Sequence, residues 1–127
     1  MSRKEKGDRR ERQCVNLLED AGWRAHRKVN NAYDAGDIFG LFDLIAVKHG
    51  EKPAFIQVKS NSTDGALKHI SEAHFVDPSH VSPFVFIAHD RQGWRVKLLT
   101  HNGWSQVMDE RELDCNYGEA TVELFSQ

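Results

Sequence analysis

The 127-residue chain carries 17 Lys/Arg against 19 Asp/Glu, a formal charge of −2, and 28% of its residues are charged. That length suits one domain able to bury a core without staples, and two cysteines, Cys14 and Cys115, make no disulfide framework. The apolar runs are too short for a membrane span and no leader-type apolar segment follows the charged start MSRKEKGDRRERQ, so a soluble, intracellular protein is expected.

Residues 7–21 predict an amphipathic helix. Cys14, Leu17, Leu18 and Ala21 recur at helical spacing, Val15 widens the stripe, and Gly22 is a stop signal. Residues 1–6 read as a flexible basic arm. Trp23 to Val29 predicts a short strand. Asn30 to Gly40 holds two Asn, two Gly and two Asp without periodicity, and predicts a long polar loop of the kind that often carries function. Phe42–Lys48 and Ala54–Ser60 predict strands joined across HGEKP as an antiparallel hairpin. Cap-type residues at Ser60–Thr63 precede ALKHISEAH, a predicted helix with Leu67, Ile70 and His74 on one side. Phe84–His89 and Trp94–Thr100 form a second hairpin across DRQG. Asn102-Gly103 is a type I′ turn signal leading into a short strand through Val107. The acidic segment 109–127 has room for one more helix. The order predicts an α/β or α+β domain with a mixed sheet flanked by helices.

Charge is unevenly placed. Residues 1–28 hold nine Lys/Arg against five Asp/Glu, and residues 109–127 hold six acids and one Arg. A basic end on an acidic chain suits phosphate binding, although a solvated helix face has the same composition. The candidate contacts to a phosphate backbone are Arg3, Lys4, Lys6, Arg9, Arg10, Arg12, Arg27, Lys28 and Lys68, with Arg24 in the same basic stretch. Trp23, Trp94 and Trp104 suit a core. The histidines show no HExxH or Cys/His spacing, so no zinc site is expected.

Four residues carry the chemistry. Alternation on Ala54–Ser60 puts Ala54, Ile56, Val58 and Ser60 on a core face, and Phe55, Gln57 and Lys59 on the other. Asp43 begins the partner strand, within reach of Gln57 and Lys59. Glu11 lies in line with Val15 and Leu18 on the apolar side of the first helix, where a carboxylate needs a partner or a metal. Two acids, an amide oxygen and the Val58 carbonyl make an oxygen donor set for a hard cation such as Mg²⁺. Lys59 beside it would orient a nucleophile or offset phosphate charge.

Glu11, then FDLIAV, then IQVKS resembles the PD-(D/E)XK nuclease superfamily, and within it the archaeal-type Holliday junction resolvases and related phage or viral nucleases. Phe42-Asp43 stands for Pro-Asp, and Gln57-Val58-Lys59 for (D/E)XK. The resemblance implies a restriction-endonuclease-like single domain with a sheet of about five strands. It implies an Mg²⁺-dependent DNA endonuclease, with Mn²⁺ as a substitute, acting on branched DNA as a homodimer and needing no small-molecule cofactor. Glu11, Asp43, Gln57 and Lys59 would be the catalytic set. Phe42 in place of proline alters a turn and no chemistry. Gln57 in place of an acid removes a charge from the metal site, and Asp37 in the preceding loop is the candidate to replace it. Tyr33 and Asp34 in that loop would face the scissile phosphate or remain loop residues. The rival readings are a nicking, flap-cutting or restriction-like nuclease, and a non-catalytic DNA-binding module of the same fold.

Overall fold

The alternating apolar residues of Ala54–Ser60 demand cover on one face, and Phe55 begins a second apolar face behind them. Both faces are covered in the structure, a computed structural model that describes residues 3–28, 36–63 and 65–110, with backbone alone for Arg3 and Lys4. Its elements are α1 (Arg3–Asp20), β1 (Arg24–Arg27), β2 (Leu44–Val47), β3 (Ala54–Ser60), α2 (Ala66–Glu72), β4 (Ser82–His89), β5 (Gly93–Thr100) and β6 (Gly103–Asp109). The six strands form one sheet in chain order. Neighbours are antiparallel except β3 and β4, which are parallel. Only that parallel step needs a crossover, and α2 supplies it.

Each helix covers one face. Cys14 and Leu18 of α1, with Trp23 after it, pack on Leu44, Ala46, Ala54, Ile56, Phe86 and Val96. Ala66 and Ile70 of α2 pack on Phe42, Val85, Ile87 and Leu99, with Phe55 and Trp104 at the edge. β4 therefore reads as a continuous apolar run, buried from Pro83 to His89. Trp104 Nε1 donates to the Leu67 carbonyl at 3.0 Å, so the indole is satisfied while it packs.

Several boundaries differ from expectation. α1 starts at Arg3 and runs through Gly7, so residues 3–6 belong to the helix and not to an arm. The helix-forming stretch RKEK carries it across Gly7, where a Cβ would meet nothing within 4 Å. The sheet has six strands where about five were expected, because the strand after Gly103 extends to Asp109. β2 is shorter than Phe42–Lys48; Phe42 instead bridges to Ile38. The N-cap of α2 is Gly65 in a left-handed conformation without a side-chain cap, and Ser60–Thr63 do not serve as its caps. The same helix ends at Glu72, which leaves His74 outside it and exposed. The β5–β6 turn is not type I′: Thr100 pairs with Gly103, and Asn102 lacks the positive φ that type demands. That pattern occurs instead at Phe39 (φ 55) and Gly40 (φ 73), closed by Leu41 N–H donating to the Ile38 carbonyl at 3.0 Å. Tyr33, Asp34, the predicted end of the first strand at Val29, and the predicted tail helix beyond Glu110 lie outside the described residues. Among the described residues no helix is long and apolar enough to cross a membrane.

Candidate active site

The sheet register assembles the site. Arg27 pairs with Leu44, and Leu44 with Ile56. Carried one residue further, that register sets Asp43 between Lys28 and Gln57. Backbone hydrogen bonds fix the position: Asp43 N–H donates to the Ile56 carbonyl at 2.8 Å, and its carbonyl accepts from Lys28 N–H at 3.3 Å. Asp43 Oδ2 then accepts from the Val58 N–H at 2.8 Å, which ties the carboxylate to the middle of Gln57-Val58-Lys59.

Asp43 shares a cavity of about 450 Å³ with Glu11 and Asp37, lined also by Asp8, Arg12, Arg27, Lys28 and Phe42. Burial, and then the nearby acids Glu11 and Asp37, push the Asp43 pKa up to about 7, against the pull of the Val58 N–H. Glu11 is also raised, chiefly by burial and partly by Asp8 and Asp37, while Arg27 opposes the shift. Asp37 reaches this cluster because the tight turn at Phe39-Gly40 folds its loop back onto the sheet. Phe39 is stabilised in its left-handed conformation by stacking on Phe55, centroids 5.9 Å apart.

A carboxylate raised in pKa by burial and by two neighbouring acids marks a site that favours a cation. Their oxygens are the donor chemistry that a hard divalent ion takes, so the residues fit the group the sequence pointed to. Among the described residues no three acid, His or Cys side chains stand in ready coordinating geometry. The structure brings Glu11, Asp37 and Asp43 into one cavity and joins Val58 to Asp43. It keeps Gln57 and Lys59 on β3, outside the described lining of that cavity, on the Phe55 face by alternation.

The basic residues divide. Arg27 Nε donates to Glu11 Oε1 at 2.9 Å, and its Nη2 meets Asp8 Oδ1 at 2.6 Å. Lys6 and Arg10 both pair with Asp90. Lys28 Nζ donates to the Gly36 carbonyl. Arg12 lines the cavity. Arg9 and Lys68 lie on α1 and α2, and of Arg3 and Lys4 only the backbone is described. Asp8 and Asp90 were missed by the sequence reading. Asp8 had one signal, its place one turn before Glu11 and Arg12 on the same helix; Asp90 had none, since its ion-pair partners Lys6 and Arg10 lie 84 and 80 residues away.

The family model for the archaeal Holliday junction resolvase (Hjc) matches residues 2–111. The chain belongs to the archaeal Holliday junction resolvase family. With that membership comes the activity class, a structure-specific DNA endonuclease, and with it DNA binding. Nucleases of this family are generally dependent on a divalent metal. Among solved structures, that of Archaeoglobus fulgidus Hjc, a Holliday junction resolvase from an archaeal hyperthermophile, matches with a TM-score of 0.49 at 20% identity, covering 87% of this chain and 83% of that one. No curated protein matches the chain.

Proposed function

We propose that this resolvase cleaves branched DNA with Mg²⁺, which the cavity acids Asp43, Glu11 and Asp37 would hold, joined from the adjoining β3 by the Gln57 amide and the Val58 carbonyl, with Mn²⁺ as a substitute. The observation that supports this reading is the Asp43 carboxylate. It is pinned by the Val58 N–H, raised in pKa by burial and by Glu11 and Asp37, and shares one cavity with those two acids. A bound divalent cation supplies Lewis-acid stabilisation of phosphoryl charge and lowers the pKa of water at the site.

The chain's own residues do the rest. Positive charge entering the cavity favours the ionised Asp43 carboxylate, against burial and the neighbouring acids. Arg27 holds one oxygen of Glu11, leaving the other for the site. Lys59, two residues along β3 from Gln57, positions the nucleophile and offsets charge on the pentacoordinate phosphorus. Arg12 and Lys28 on the cavity wall attract the scissile phosphate. The active form is a homodimer, since two strands must be cut symmetrically at a junction and a two-fold pair of sites does this.

The test is cleavage of synthetic four-way junction, flap and linear duplex DNA with Mg²⁺ or Mn²⁺, beside Lys59→Ala. Metal-dependent cutting of the junction in preference to duplex is expected, with at least a hundredfold loss in the variant. Junction binding with no metal-dependent cleavage of any substrate would favour the non-catalytic module and end this reading.

A further inference from the structure

The N-terminal half of α1 is tied down on both flanks. On one flank Arg27 grips Asp8 and Glu11. On the other, Lys6 and Arg10 are four residues apart and so share a helix side. Lys6 Nζ lies 3.0 Å from Asp90 Oδ2, and Arg10 Nη2 lies 2.5 Å from Asp90 Oδ1. Asp90 sits in the turn between β4 and β5. Asn61, just beyond β3, completes the arrangement: its Nδ2 donates to Asp90 Oδ2 at 3.3 Å, and its Oδ1 accepts the Asp90 N–H at 3.1 Å. Asn61 is fixed for this role by a left-handed backbone (φ 66) and by its own N–H bond to the Ala88 carbonyl at 2.9 Å.

Both oxygens of one carboxylate are therefore held by two cations and an amide. That is the donor set with which proteins bind a backbone phosphate. The Asp90 side chain is half exposed and Lys6 one-third exposed, with Arg10 largely buried behind them, so an external anion reaches the donors by replacing the carboxylate. The carboxylate is fully ionised at neutral pH, with Lys6 and Asn61 holding its pKa down at about 2. The opposite flank of the same helix carries Asp8, Glu11 and Arg12 into the acid cavity. A phosphate on Lys6 and Arg10 thus belongs to a stretch of DNA separated from the cutting site by the width of α1.

We propose that Lys6, Arg10 and Asn61 form a binding site for a DNA backbone phosphate, that Asp90 occupies this site in the free protein, and that DNA displaces it. Asp90 is then a built-in competitor that weakens DNA binding. The inference rests on the DNA endonuclease reading for the identity of the anion.

The experiment measures binding of a synthetic four-way junction by fluorescence anisotropy, in EDTA so that nothing is cut. It compares wild type, Asp90→Asn, Lys6→Gln/Arg10→Gln, and the triple variant. Two exposed ion pairs hold binding back by about threefold to thirtyfold, so Asp90→Asn is expected to tighten binding by that factor. In the Lys6→Gln/Arg10→Gln background the same change is expected to have no effect. Equal tightening in both backgrounds would mean that Asp90 acts only through space on the DNA charge, and the competitor idea fails. Unchanged or weaker binding by Asp90→Asn overturns it as well. Thermal unfolding checks each variant, and Asp90→Ser replaces Asp90→Asn if the latter loses its fold. A wild type that binds no junction refutes the DNA reading itself, an outcome distinct from the other two.

Discussion

Asp43→Asn should make the protein more stable and inactive at once. The Asp43 pKa stands at about 7 in the folded protein, some three units above an ordinary aspartate. Between about pH 4 and pH 7 the folded state keeps a proton that the unfolded chain has released. Stability from this group is therefore full below pH 4, falls as pH rises through that window, and is flat above pH 7. At 1.36 kcal/mol per unit the total is at most about 4 kcal/mol. The carboxylate retains some contact with water, so a gain of about 2 kcal/mol is expected for the neutral isostere at pH 8, or roughly 8 °C in melting temperature. Asparagine keeps an oxygen for the Val58 N–H, so the change removes charge and spares the hydrogen bond. The assay is urea unfolding of both proteins from pH 5 to pH 8 without divalent ions. Glu11 and Glu110 are raised in the same direction and remain in both, so the readout is the difference between the two curves. That difference should widen from pH 5 to pH 7. Added Mg²⁺ should stabilise wild type at pH 8 and leave the variant unmoved. A variant less stable than wild type at pH 8, or parallel curves, would refute the argument.

Two further outcomes test the frame around the site. Ile70 is fully buried where α2 meets β4, so Ile70→Ala should cost about 2–5 kcal/mol in urea unfolding, and a loss under 1 kcal/mol would mean that α2 is not packed as described. Gly93 has φ +90, and a Cβ there would lie 2.0 Å from Glu110 Oε2, the oxygen that accepts the Trp94 N–H. Gly93→Ala should therefore destabilise by more than about 2 kcal/mol through backbone strain and the lost bond, which a chemical-denaturation midpoint would show; a neutral result would contradict the buried Glu110.

Much of the fold was legible where one local pattern decided it. Ala54–Ser60 was read with its true limits because period-two alternation ends sharply at Pro53 and Asn61. The stripe of Cys14, Leu18 and Ala21 likewise named the buried side of α1. Turn chemistry was less readable. Asn102-Gly103 looks like a type I′ turn, but the register set by β5 and β6 makes Gly103 a strand residue. Phe39-Gly40 takes that conformation although phenylalanine disfavours it, because the ring is held against Phe55. At the site, Glu11 and Asp43 were legible from their neighbours in sequence. The ion-pair partners Asp8 and Asp90 were not, since which acid meets Arg27 or Lys6 depends on how α1 lies across the sheet.

The missing acid at position 57 is the departure most open to argument. In the resemblance, that strand position carries a negative charge; here Gln57 carries none. Asp37 stands in contact with Asp43 and contributes to its raised pKa. On the proposed reading Asp37 supplies that charge, from a loop that the turn at Phe39-Gly40 folds inward. If Asp37 is the replacement, Asp37→Asn should abolish metal-dependent junction cleavage, and adding Gln57→Glu to that variant should bring much of it back. Gln57→Glu alone adds a further carboxylate next to the Asp43–Val58 contact. It should tighten Mn²⁺ binding, measured calorimetrically, by roughly tenfold while lowering stability in EDTA. A double variant as dead as Asp37→Asn would show that a charge on β3 cannot stand in for one on the loop, and that the two positions serve different atoms of the substrate.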